Sequence, residues 1–475
     1  MTDNTSLSDF ISNLPYTYNV DCRAQLIKDN YNEYEGKAVR IAGRVLALRK
    51  SGKLAFADIQ DKSGKMQCYF DHNKIGDLLF DVAKSLNAGD IIGVKGVVFK
   101  TNPGEISINV DELSLLSKAI RNLPDKRKGL QDVESRYRKR YLDLIMNQQT
   151  REIFNKRSKI ITAIRSFLDG HGFLECETPV IQPLYGGADS EPFKVYVNTL
   201  KEEDYLRISN ELYLKRLIIG GMERVYEIYK AFRNEDLDTT HSPEFTMLEA
   251  YQSYADYNDM MDLNQQMFNI IAKQVCGSEH VEYQGHTLSF KLPFAKINYA
   301  DAISKEIGKN VLELTDEQLF EQAHIHGIKL EKEKRTRAHV YDKLFSTLVQ
   351  PKLIQPTFAI DFPRITSPLT RPKRSDNRLA ERFELYAAGI ELSNAYSELN
   401  NPIIQKENFD LEDQKAQLGD KEAEPMDTDF IEAMEYGMPP TGGIGIGIDR
   451  FTMILTNQSS IKEVILFPME KRLKK

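Results

Sequence analysis

Phe232–Tyr251, FRNEDLDTTHSPEFTMLEAY, sets Arg233, Glu235, His241 and Glu249 between apolar runs. A core strand would not carry that charge load, and a solvated loop would not need Phe245 and Met247. The flanks ERVYEIYKAFRNE and PEFTMLEAYQSY alternate, so the spacing predicts a hairpin with DLDTTHS at its tip. Arg233 and His241 then stand where a phosphate-bearing ligand can be clamped, because a guanidinium makes paired bonds to phosphate or carboxylate. A surface hairpin with an Arg–Glu pair fits the same spacing.

Two further stretches carry chemistry. In ERFELYAAGIELSNAYSELNNP, Glu384 and Glu391 either share one helix face or converge from two strands turned at Gly389. Paired carboxylates suit Mg²⁺ bridged to substrate phosphates, and solvated surface charges fit as well. In TGGIGIGIDRFTMIL (441–455), Gly443, Gly445 and Gly447 alternate with isoleucines, which reads as a strand with one bare face open to a ligand or another backbone. Arg450, at the strand–helix junction beside that bare backbone, is expected to meet an anion. The stretch is not a dinucleotide fingerprint, since it follows no βα turn of that form.

These residues need elements to hold them. KAVRIAGRVLAL, LAFADIQ, KMQCYF, DIIGVKGVVF and EISINVDELSLL read as five strands within residues 36–118, with a helix over 75–86 after the third. That order is the order of an OB barrel, whose open face often binds single-stranded nucleic acid. Between Lys118 and Arg140 stand nine Lys or Arg, with KRK at 126–128 and RYRKRY at 136–141. A solvated linker and a phosphate-binding surface fit this stripe equally. Ile153, Phe154, Ile160, Ile161, Ile164, Phe167 and Leu168 then recur at helical spacing up to Gly170 and Gly172, and FLECETPVI continues as a strand stopped by Pro179. Beyond it strands and helices mix without βαβ regularity, which predicts an α+β rather than a doubly wound fold. Residues 401–430 look like exposed helical hairpin material. The expected domains are an N-terminal extension (1–35), the OB barrel (36–118), a basic linker (119–145) and a catalytic domain (146–475).

The bulk composition sets limits. A formal charge of −7 over 475 residues argues against a protein that coats nucleic acid by bulk attraction. No apolar run approaches the roughly 20 residues of a membrane helix, so no membrane partner is expected. The start lacks a signal-peptide pattern. Four scattered cysteines with no CxxC pair suggest neither zinc nor a disulfide framework, and a cytoplasmic location is expected.

Taken in order, the helix–strand ending at Pro179, the FRNE…H.PEFT hairpin and the GIGIDR strand–helix closely resemble motifs 1, 2 and 3 of class II aminoacyl-tRNA synthetases. An N-terminal OB domain marks the aspartyl, asparaginyl and lysyl subgroup. RYLDLI, YGGADSEPF, ELYLKRLIIGGMERVYEI, SYADYND and IKEVILFP resemble the lysyl-tRNA synthetases, from about residue 36 to the end. The resemblance implies an antiparallel sheet flanked by helices for the catalytic domain. It implies that ATP, L-lysine and tRNA(Lys) are bound, with Mg²⁺ as cofactor, by a homodimer joined through the Ile160–Pro179 region. It implies that Arg233 bridges the lysine carboxylate and the α-phosphate, and makes Arg233 and Arg450 the catalytic pair. His241 would meet the terminal phosphates, Glu235 would read the adenine amino group, and Phe245 and Arg450 would sandwich the ring. Glu384 and Glu391 match the Mg²⁺ carboxylates, Glu384 also counting toward ATP. Glu211 would hold the α-amine, with Glu249, Tyr251 and Glu398 around the side chain. Asn394, Tyr396, Gly187 and Ala188 match further pocket positions, and Arg49, Phe56, Gln67 and Glu105 match positions used on an anticodon. Read in isolation, Phe56 suits barrel core and Glu105 suits surface.

The chain also departs from that pattern. Ser209–Asn210–Glu211 replaces the common APE, which is expected to loosen the α-amine contact, and Asp189 and Glu191 stand where small or basic residues are frequent. Three readings compete: aspartate or asparagine specificity, a lysyl ligase acting on a protein acceptor, and a nucleic-acid-binding relative without catalysis. Three carboxylates and a phenol suit a doubly cationic amino acid, whereas an aspartate pocket should show a cation. The OB barrel argues against the protein acceptor, and Arg233, Arg450, Glu384 and Glu391 argue against lost catalysis.

Overall fold

The computed structural model describes residues 14–124, 130–330, 335–417 and 425–472, in two compact units, Met1–Gln131 and Asp132–Lys475. In the first unit, period-two alternation dictates the architecture. Strands β1 (Ala38–Ser51), β2 (Leu54–Gln60) and β3 (Lys65–Asp71) lead to helix α1 (His72–Ser85), followed by β4 (Ile91–Lys100) and β5 (Ile106–Ser117). They close into a barrel in the order β1-β2-β3-β5-β4. Ala55, Ala57 and Ile59 of β2 and Met66, Cys68 and Phe70 of β3 fill the inside. The same alternation turns Phe56 outward, opposite Tyr69 of β3 and Arg49 of β1. The barrel-core alternative for Phe56 therefore falls.

The second unit begins with helices over Val133–Arg138 and Arg140–Met146, so part of the stretch read as linker is regular structure. Arg136 and Arg140, two of the nine cations of the basic stripe, are taken up in ion pairs within this unit. The Arg140 guanidinium is fully buried, 2.5 Å from Asp143, and donates to the carbonyls of Lys462 and Leu466. Arg136 reaches Asp143 and Glu463. Neither reading of the stripe, solvated or phosphate-binding, holds for these two; KRK at 126–128 lies outside the described residues.

Helix α2 (Gln148–Gly170) buries Ile153, Ile160, Ile164, Phe167 and Leu168, the apolar positions its period predicts. The strand expected over FLECETPVI is only β6 (Leu174–Glu175), paired in parallel with a later strand, because Pro179 has no N–H for a ladder. β7 (Ile181–Gln182), β8 (Phe193–Val197) and β9 (Glu202–Leu206) form a separate sheet, followed by helix α3 (Glu211–Ile219). The hairpin strands β10 (Arg224–Phe232) and β11 (Glu244–Ser253) precede helix α4 (Tyr257–Cys276) and the small hairpin β12 (His280–Tyr283) and β13 (His286–Ser289). β14 (Ala295–Asn298), β15 (Thr357–Pro363), β16 (Pro372–Lys373), β17 (Asp376–Ala387), β18 (Ile390–Ser397) and β19 (Thr441–Gly447) follow, and helix α5 (Ile448–Thr456) leaves β19.

The main sheet runs β14-β15-β17-β18-β19-β11-β10-β6, mostly antiparallel, with β16 off β17. One face packs Leu248, Ala250, Ile444, Ile446, Ala395 and Leu385 into the core shared with α2, α4 and α5. The other face is polar, and register decides what meets there. Glu227, Glu249, Gly445, Asn394 and Glu384 make one row across five strands, and Tyr251, Gly443, Tyr396 and Arg382 make the next. Residues 402–417 and 428–435 are helical as expected but not merely exposed, since Phe409, Phe430 and Met434 pack with Leu212 and Leu369. No helix among the described residues is long and apolar enough to cross a membrane.

Candidate active site

A cavity opens over the polar face of the main sheet. Its wall includes Gly187, Glu211, Arg233, Glu235, His241, Phe245, Glu249, Tyr251, Glu391, Asn394, Tyr396 and Arg450. Residues scattered over more than two hundred positions thus meet in one place. Glu384 and Glu398 do not line this wall.

At one end stands Glu249, buried on β11. It receives three hydroxyls and, among the described residues, no cation: Ser209 at 2.9 Å and Tyr229 at 2.5 Å on Oε1, and Tyr251 at 3.0 Å on Oε2. Burial, and next the nearby Glu211 charge, raise its pKa to about 7 against the hydroxyl donors. Its cross-strand neighbour Glu227 is just as buried but saturated: Arg207 lies at 2.7 Å, and Thr178 and Asn210 donate to its other oxygen. Two buried carboxylates face each other, and only one has a counter-ion. The departure at Ser209–Asn210 is thereby resolved. Asn210 ties the start of α3 to Glu227, and Ser209 Oγ accepts from the Glu211 N–H while donating to Glu249. The start of α3 at Glu211 is thus held by side-chain hydrogen bonds.

The three expected carboxylates differ in their surroundings. Lys215, one turn along α3, is buried with its ammonium 2.5 Å from both Glu211 and Glu398. Glu398 lies behind the wall and out of the cavity, pressed against β19. This is what the bare strand is for at Gly443: a Cβ there would stand 2.0 Å from Glu398 Oε1 and 2.5 Å from the Tyr251 ring. Gly443→Ala is therefore expected to lower the thermal midpoint and to weaken ligand binding at this end of the cavity. Overpacking of this kind typically costs about 1–3 kcal/mol, and differential scanning fluorimetry with steady-state kinetics reads both.

Toward the other end, Arg233 lies with its guanidinium 5.3 Å from the Phe245 ring centroid, and its Nε has no hydrogen-bond partner among the described residues. Its N–H donates to Pro243 O, so the end of the hairpin ladder fixes the side chain's root. The loop bearing the Asp189 and Glu191 departures braces this end. Glu191 N donates to Glu235, and Asn234 N donates to Glu191 O. His241 is a relay between charges: Nδ1 lies 2.8 Å from Asp238, and Nε2 3.1 Å from Arg450. Asp238 is lowered to about 2; its partial burial is outweighed by the Thr240 and His241 groups that hydrogen-bond to it. Arg450 in turn lies 3.2 Å from Glu391. Its helix is anchored by Asp449, which accepts from Thr246 N at 2.7 Å and pairs with Arg157 at 2.5 Å.

Glu384 and Glu391 converge from adjacent strands across the turn at Gly389, as the strand alternative expects. Only Glu391 reaches the cavity wall. Glu384 is buried behind it, held by Arg382 at 2.6 Å and by the Tyr386 hydroxyl. Burial raises the Glu384 pKa, Arg382 opposes this, and the Glu391 charge adds to the rise. The two carboxylates are thus close enough to interact electrostatically. No group of three or more metal-ligating side chains occurs among the described residues, so a cation here would depend on ligand oxygens.

Spacing offered no signal for Lys215, Arg207, Glu227 or Arg382. Arg382 is half-buried and donates to Asn394, Glu384, Ser367 and the Thr366 carbonyl, fixing two expected site residues at once.

On the barrel, Phe56, Tyr69 and Phe99 form a ladder with centroids 5.3 and 5.6 Å apart on the outer face, and Arg49 lies over Phe56. Gln67 accepts from Ser107 at 2.8 Å, and Glu105 lies 3.8 Å from Lys28.

Residues 132–471 match the family of class II tRNA synthetases (D, K and N), and residues 39–116 match the OB-fold nucleic acid binding domain family. The fold and the cavity are thus those of a class II synthetase. Within the class, the chain is 49% identical over 451 residues to a lysine–tRNA ligase of Clostridium novyi, covering 94% of this chain and 88% of that protein. It is 47% identical over 473 residues to lysine–tRNA ligase 2 of Methanosarcina mazei, covering 99% and 93%. The chain belongs to the lysine–tRNA ligase family.

Proposed function

We propose that the cavity activates L-lysine with ATP and that the chain transfers the lysyl group to tRNA(Lys) in the cytoplasm, where its four free cysteines stay reduced. One observation carries the choice of amino acid: Glu249 is a buried carboxylate supplied with hydroxyls but no cation. An ε-ammonium supplies it, and an aspartate side chain would be repelled. The cation expected of an aspartate pocket is present as Lys215, but Glu211 and Glu398 already hold it.

The lysine carboxylate is already ionised, so attack on the α-phosphate needs no side-chain base. A carboxylate oxygen forms the bond to phosphorus, and pyrophosphate leaves. Arg233 bridges the two reacting anions, with one fork toward each. Glu211 and Gly187 hold the α-amine end, while Tyr251, Asn394 and Tyr396 close on the side chain. Phe245 and Arg450 flank the adenine, Glu235 reads its amino group, and His241 meets the terminal phosphates. Glu391, with Glu384 behind it, would hold Mg²⁺, which supplies charge neutralisation to the phosphates when bound. The 3′ hydroxyl of the tRNA then attacks the adenylate carbonyl, releasing AMP. On the barrel, Phe56 stacks an unpaired base, and Arg49, Gln67 and Glu105 read base edges.

Amino-acid-dependent ATP–pyrophosphate exchange without tRNA tests this reading against lysine, aspartate, asparagine, arginine and ornithine. Exchange with lysine alone is expected. Exchange with aspartate or asparagine would leave the class standing and overturn the pocket assignment.

The partner subunit in this reading is a second copy of the chain. Leu174, Val180, Ile181, Leu184, Tyr196 and Leu200 expose large apolar surfaces within a short span of chain, as an uncovered interface does. Ile160 is buried within its own chain, which moves the expected seam to 174–200. Sedimentation at micromolar concentration should give twice 54.5 kDa, and a 54.5 kDa species alone would refute the dimer.

A further inference from the structure

Lys215 is 1% exposed, and its ammonium is shared between Glu211, on the cavity wall, and Glu398, behind it. Burial favours the neutral amine, but the Glu211 and Glu398 carboxylates outweigh it and raise the Lys215 pKa. Burial pushes the Glu398 carboxyl up to about 8 against the Lys215 charge, and the 2.5 Å contact of its Oε2 with the buried ammonium is the geometry of an ion pair. Tyr229 and Tyr251 are held well above their ordinary pKa by burial and by the Glu249 and Glu211 charges, so both stay neutral.

The charges can then be counted. With all three ionised, as an ammonium ligand requires, Glu211, Glu249 and Glu398 share one buried cation, which leaves two negative charges at this end of the cavity. A diamino acid brings two ammonium groups, and its carboxylate goes to Arg233. We propose that Lys215 is a specificity-determining residue of the amino-acid site: it keeps Glu398 out of the cavity and sets the pocket's net charge so that only an amino acid with two ammonium groups neutralises it. The inference rests on the reading of the cavity as a lysine site. A monoammonium isostere such as norleucine leaves a buried carboxylate without a counter-ion, which a low-dielectric site does not tolerate.

The test is a charge-balance cycle on the full chain, read as ATP–pyrophosphate exchange with lysine and with norleucine. Lys215→Met leaves three negative charges and should raise the lysine KM by about tenfold or more, with the ATP KM moving less than about threefold. Lys215→Met/Glu398→Gln restores two negative charges and should return the lysine KM to within about fivefold of the unaltered chain. Glu398→Gln alone leaves one, and should erode selectivity for lysine over norleucine. If Lys215→Met does not fold, the comparison of Glu398→Gln with the double variant decides: the added Lys215→Met must lower the lysine KM. A double variant that is no better than either single variant, or that does not fold, overturns the proposal, because Lys215 would then be a packing residue. Absence of lysine exchange by the unaltered chain would refute the lysine-site reading itself, before any substitution is made.

Discussion

Glu249→Gln should raise the KM for lysine about 100-fold while the KM for ATP stays within about threefold, the scale expected when a buried charge pair loses one partner. The substitution keeps the shape and leaves the three hydroxyls of Ser209, Tyr229 and Tyr251 in place. The charge offered to the ε-ammonium disappears, and the Tyr251 hydroxyl turns to accept from the new amide N–H. Equal losses for both ligands would mean that Glu249 holds the fold rather than the amino acid.

A pH dependence accompanies it. The Glu249 carboxyl is raised from 4.5 to about 7, by burial first and Glu211 second. Lysine requires the ionised form, so its KM should fall as pH rises between about 6 and 8, and the Glu249→Gln profile should be flat. The sign for stability is opposite in the ligand-free protein. Between 4.5 and about 7 the folded state binds this proton and the unfolded state does not, so this group's contribution to stability falls as pH rises through that window. Saturating lysine should remove that loss. Thermal midpoints across this range, with and without lysine, read the difference.

Arg233→Lys should lower the rate of adenylate formation by about 100- to 1000-fold, the range seen when one donor to a developing charge is lost. Arginine presents a planar fork that can reach the attacking carboxylate and the α-phosphate together, and an ammonium is a point charge that serves one at a time. The hairpin should be unaffected, because the Arg233 backbone bond to Pro243 does not involve the side chain. Single-turnover measurement of adenylate separates the outcomes: a defect confined to the KM for ATP would make Arg233 a binding residue only.

Much of the fold was legible because alternation is a local property. The alternation in β2 puts Ala55, Ala57 and Ile59 inside and Phe56 and Asp58 outside, though Phe56 taken by itself, a large aromatic, reads as core. The hairpin about Arg233 and the glycine strand about Gly443 were equally plain, since turn residues and bare positions mark themselves. The partition of the basic stripe was not legible. Arg136 and Arg140 look like their exposed neighbours until Asp143 and Glu463 are seen beside them.

The sequence by itself determined the barrel, the order of the three motifs and the residue types gathered for an ATP and amino-acid site. Tertiary structure alone decided which of those residues are open to a ligand. Glu211, Glu249 and Glu398 are chemically identical in the chain, yet Glu398 is withdrawn with Lys215, Glu211 is shared, and Glu249 is left without a cation. The physical reason is that charge pairing in a buried site depends on distances of a few ångströms between segments far apart in sequence. No period or propensity encodes such distances, and only the register of β10, β11, β19 and β18 brings them about.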